Sequence, residues 1–130
     1  MEKELVTNSQ ALLLKELGFK ERCNYYCEND KLKLHNNKNG WDFNSSFIEC
    51  YSKPFKQQVF DWFRKEHGLF CYIKESLKSK TTCYKIHNHD DKNYGPYTQP
   101  NLIEITEFVE KNYNETELIC INELIKIIQK

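Results

Sequence analysis

Residues 52–68 read Ser52-Lys53-Pro54-Phe55-Lys56-Gln57-Gln58-Val59-Phe60-Asp61-Trp62-Phe63-Arg64-Lys65-Glu66-His67-Gly68, and this stretch decides the fold. Phe55, Val59, Trp62 and Phe63 recur at helical spacing, which gathers them on one face, while Lys56, Gln57, Asp61, Arg64 and Lys65 fall on the other. Ser52 is the expected N-cap, Pro54 suits a first turn because its missing amide would have no partner there, and Gly68 supplies a left-handed stop. Burying such a face stabilises a fold by roughly 1.5 to 3 kcal/mol per large apolar side chain. The stretch therefore predicts an amphipathic helix at the centre of the core.

Working outward, residues 69–74 and 81–87 are rich in β-formers and joined by a polar segment, which predicts a hairpin directly after the glycine. Upstream the same order is found. Asn8 or Ser9 is the expected cap of a first helix carrying Ala11, Leu13, Leu14 and Leu17; Gly18 ends it, and Phe19 folds back onto Leu14. Two short extended runs, 23–27 and 31–35, then flank a Glu28-Asn29-Asp30 turn. Residues 8–35 thus echo residues 52–87 as helix and hairpin. Near the end, Asn114 and Glu117 read as a capping box for a last helix with Leu118, Ile121, Leu124, Ile125 and Ile128 as its apolar stripe. Residues 102–109 suit a helix through Leu102, Ile105 and Val109, but Ile103, Ile105 and Val109 alternate, and the strand is preferred.

The expected architecture is α+β: one domain over residues 1–130, with a small, mostly antiparallel sheet from two hairpins and 102–109 as candidate fifth strand. About three helices accompany it, the second and last packed on one face. A length of 130 residues, 39% hydrophobic and 14% aromatic, is enough for a single packed core. Nineteen basic residues balance nineteen acidic ones, so no overall field draws nucleic acid or an anionic membrane. No apolar run near Met1 resembles a signal peptide and no stretch is long enough to span a bilayer, which points to the cytoplasm. In that reducing setting the six cysteines are expected as free thiols, mostly small buried hydrophobes.

Three segments, Ala11-Leu-Leu-Leu-Lys-Glu-Leu-Gly-Phe19, the run from Tyr51 through Phe55-Lys-Gln-Gln-Val-Phe-Asp-Trp-Phe-Arg-Lys-Glu-His-Gly-Leu69, and Glu115-Thr-Glu-Leu-Ile-Cys-Ile-Asn-Glu-Leu-Ile-Lys-Ile-Ile128, carry a resemblance. Together they resemble a family of small uncharacterised proteins from Bacteroidetes and their phages and prophages. The resemblance implies an accessory protein of a phage or mobile element, placed in the cytoplasm of a bacterial host. It brings no catalytic motif, and the His87-Asn-His89 stretch is not part of it.

Three sets of residues are candidates for function. The aromatic segment Trp41, Phe43, Phe47 and Tyr51 lies in a long loop, where such side chains make good anchors for a host or phage protein. Lys74, Lys78, Lys80 and Lys85, with Tyr72 and Tyr84 for stacking, are the candidate contacts to nucleic acid. Cys23 and Cys27, with three residues between them, together with His87 and His89 offer a Cys2His2 set for a structural zinc, the candidate cofactor. No nucleophile elbow and no phosphate-binding loop is present, and the glycines at 18, 40, 68 and 95 read as helix stops and turns. A non-enzymatic interaction module is the expectation that remains.

Overall fold

The computed structural model describes residues 2–35, 38–46, 50–76, 81–88 and 103–129. Helix α1 spans Asn8–Glu16, followed by β1 (Tyr25–Glu28), β2 (Lys31–Leu34), a one-turn helix α2 (Phe43–Ser46) and β3 (Cys50–Ser52). Helix α3 (Lys56–His67) then leads to β4 (Phe70–Glu75), β5 (Thr82–His87), β6 (Glu104–Val109) and α4 (Tyr113–Gln129). The class is α+β and all the strand pairing is antiparallel.

The strands divide into two three-stranded sheets, ordered β2-β1-β3 and β4-β5-β6, where the sequence pointed to one. Helix α3, twelve residues and about 18 Å long, connects β3 of the first sheet to β4 of the second. Strand β6, Glu104–Val109, falls within the region 102–109 whose alternation indicated a strand. The two helix-and-hairpin halves also differ in topology: the third strand pairs with the first strand of its hairpin in one sheet and with the second in the other.

Helix ends follow the expected chemistry at shifted positions. Thr7, not Asn8 or Ser9, caps α1, in a reciprocal box with Gln10. Asn112, two residues before the expected Asn114, accepts from the Glu115 amide at 2.8 Å and caps α4. Ser52 does not cap α3, because it belongs to β3; Phe55 takes the cap position, with the Gln58 side chain accepting from its amide at 2.9 Å. Gly68 ends α3 at φ +63°, as its residue type demands.

The core joins the inner faces of both sheets to the helices. Val59, Trp62 and Phe63 of α3 and Cys120, Ile121, Leu124 and Ile125 of α4 are buried, with Ala11 and Leu14 of α1 and Phe19 beyond it. Phe19 meets Trp62 edge-on at 5.3 Å between ring centres. The central element is α4, which packs on α1, α3, β4 and β5. Cys23, Cys27 and Cys120 are buried and Cys50, Cys71 and Cys83 half-buried, all six as free thiols. Lys56 departs from the amphipathic pattern: it is buried at 3% exposure against Glu117 of α4. No helix among the described residues is long and apolar enough to cross a membrane.

Candidate functional site

The outer face of the first sheet carries a pocket whose construction begins with strand alternation. Tyr26 and Glu28 lie on the face of β1 opposite Cys27, and antiparallel pairing sets Tyr26 across from Lys33 and Glu28 across from Cys50. The segment after β2 then folds over this face. Gly40, at φ +69°, makes that approach possible: a Cβ there would stand 2.8 Å from the Cys23 carbonyl oxygen. Through it, Cys23 and Trp41 exchange two backbone hydrogen bonds of 2.9 Å, which fixes Trp41 at the pocket rim.

Helix α2 completes the wall. The Asp42 carboxylate accepts from the amides of Asn44 and Ser45, and the Phe43 amide donates to the buried Ser52 hydroxyl at 3.1 Å. Asn44 returns the link, accepting from the Ser52 amide and donating to the Phe19 carbonyl, both at 2.9 Å. Phe43 is thereby held under Tyr26, the rings stacked at 4.1 Å and 14°. His35 meets Phe43 edge-on at 5.5 Å and lies 6.4 Å from Trp41. The result is a cavity of about 420 Å³ lined by Tyr26, Glu28, His35, Trp41, Phe43 and Cys50.

Of the four aromatic residues singled out in the sequence, Trp41 is 43% exposed at this cavity and Phe43 forms its buried floor. Tyr51 is a correction: it is buried on the opposite face of β3, its hydroxyl donating to Asp30 at 3.1 Å, so it is no surface anchor. Phe47 lies outside the described residues. Tyr26, His35 and Glu28 are not among the residues the sequence singles out; β1 runs on to Glu28, which the sequence placed in the turn, and this sets Glu28 on the same face as Tyr26.

The lysine set is partly visible. Lys74 is exposed on β4, and Lys85 pairs with Glu104 across β5 and β6 at 3.2 Å. Lys78 and Lys80 lie outside the described residues. Register puts Phe70, Tyr72 and Lys74 on one face with Lys85, His87 and Phe108, Tyr72 being 58% and Phe108 73% exposed. Tyr84 is not available for stacking, since it is buried on the inner face.

The proposed ligand set is divided between the sheets. Cys27 lies on β1 of the first and Cys23 just before that strand, their sulfurs donating to the Asn8 side chain and the Glu21 carbonyl respectively. Burial pushes the Cys23 thiol from 9.0 up to about 12, away from the thiolate a metal requires. His87 belongs to the second sheet, stacked between Phe70 and Tyr72 at 5.4 Å from each. His89 lies outside the described residues. Among the described residues no three His, Cys, Asp or Glu side chains converge as metal ligands.

Set against family models, curated proteins and solved structures, the chain finds no match.

Proposed function

We propose that the protein is a non-enzymatic interaction module that takes a side chain of a partner protein in the aromatic pocket around Trp41. The supporting observation is the pocket's rigidity: Gly40 backbone approach, the Cys23–Trp41 bonds and the Ser52–Phe43–Asn44 bonds hold its walls. Preformed aromatic surface binds at low entropic cost, and Trp and Tyr are the residues that dominate binding hot spots. The resemblance over residues 11–19, 51–69 and 115–128 suggests the setting, a phage or mobile-element accessory protein acting on a host or phage protein.

Photo-crosslinking tests this. A benzophenone side chain at position 41 is expected to give a discrete protein adduct in host cells that the same group at Leu12, 44% exposed on α1, does not give. Identical adducts from both positions, or none, would remove the reading.

A second reading, contact with single-stranded nucleic acid, is favoured by one arrangement: exposed Tyr72 and Phe108 share a sheet face with Lys74 and Lys85. It predicts a salt-sensitive association that Lys74→Glu with Lys85→Glu abolishes, and absence of any mobility shift at low salt removes it.

A further inference from the structure

Among the described residues that line the pocket, the one carboxylate is that of Glu28. Around it stand four rings. Phe43 is buried beneath Tyr26, whereas Tyr26 is half-buried and Trp41 exposed, so these two keep π surface open to the cavity. The face of an aromatic ring is the negative end of its quadrupole and attracts cations, Trp most strongly. A carboxylate beside such faces adds a full opposite charge and a geometry suited to a guanidinium fork.

The chain itself shows that this carboxylate receives a cation. Lys33, two strand positions from Lys31 on β2, holds its ammonium 3.3 Å from Glu28, with both side chains 40% or more exposed. An exposed pair of this kind is weak and exchanges readily. Lys33 is therefore a competitor that an incoming cation displaces, not a permanent neutralising partner.

We infer that the pocket recognises the cationic side chain of a basic residue on the partner, its charged head against Glu28 and its stem over Tyr26 and Trp41. The inference rests on the interaction-module reading above and adds the chemistry of what is bound. A pocket of about 420 Å³ suits one long side chain and is at the small end of ligand sites.

The test compares an acetyl-Gly-Arg-Gly amide with its citrulline counterpart, which keeps the shape and loses the charge, each titrated to millimolar concentration. The readout is the indole N–H resonance of Trp41, assigned from Trp41→Phe. The arginine peptide is expected to shift that resonance saturably and to bind at least about threefold more tightly than the citrulline peptide. Glu28→Gln should narrow the difference to what the ring faces alone contribute, and Lys33→Ala should tighten the arginine peptide alone. Equal binding of both peptides to the wild type overturns the cation inference and leaves the pocket as a site for uncharged side chains. No shift with either peptide also overturns it, and crosslinking from position 41 then decides independently on the interaction module.

Discussion

Lys56 of α3 and Glu117 of α4 face each other at 3.5 Å with 3% and 8% of their side chains exposed, an ion pair in the seam between the two helices. The ammonium also donates to the Asn114 carbonyl at 3.2 Å, and Gln57 donates to the second oxygen of Glu117 at 3.2 Å. Removing one partner strands the other charge away from water. Lys56→Ala is expected to cost about 3 to 5 kcal/mol in urea unfolding, whereas Lys56→Met with Glu117→Leu stays near the wild type. If the double variant is as unstable as the single one, the pair contributes through its polar network and not merely by mutual neutralisation.

Gly40 and Gly68 both have positive φ, but an added Cβ meets the Cys23 backbone at 2.8 Å in the first case and open space in the second. Gly68→Ala should cost about 1 to 2 kcal/mol, the conformational term alone. Gly40→Ala should cost more than that and shift Trp41, since the Cys23–Trp41 bonds cannot persist with the wall displaced. Thermal melts with indole resonances distinguish the two.

Tyr51 donates to Asp30, which sits at φ +62° beside Asn29 at φ +53° in the tight turn between β1 and β2. Asp30→Ala leaves a buried hydroxyl without this acceptor and is expected to cost about 1 to 3 kcal/mol. In a Tyr51→Phe background most of that penalty should vanish; an undiminished penalty would assign it to the turn conformation.

Alkaline pH should destabilise the protein progressively. Burial pushes Cys23 from 9.0 and Tyr84 from 10.0 up to about 12 each. Between the unfolded and folded values the native state keeps protons that the unfolded chain releases, so stability is full below pH 9 and falls as pH rises toward 12. The loss should reach a few kcal/mol by pH 11 and lessen in Cys23→Ala relative to its own neutral-pH stability. A flat stability profile from pH 9 to 11 would contradict it.

The helices were legible because their apolar spacing is local: Val59, Trp62 and Phe63 are buried as the 3.6-residue period requires. What periodicity does not carry is pairing at a distance. Lys56 was read as a solvent residue because only the tertiary arrangement brings Glu117 to it. Ser52 was read as a cap because its side chain suits one; it lies instead in a three-residue strand, too short to register as a pattern, and its hydroxyl serves Phe43. At the candidate site Trp41 was found through composition alone. Tyr26 is in reach of the alternation rule and Glu28 is hidden by the turn reading, but their convergence with His35, Trp41 and Phe43 depends on where Gly40 lets the chain approach Cys23.

The order of strands in the first sheet also bears on how the molecule is made. The β1–β2 and β4–β5 hairpins close short loops and can form early, as can the helices. Pairing of β3 with β1 closes the longer loop that carries Gly40, Trp41 and Phe43, and its entropic cost falls due before any of the contacts that offset it. A chain in which β3 has not yet docked on β1 therefore lacks the cavity around Trp41, so the recognition proposed for that cavity requires the first sheet to be complete.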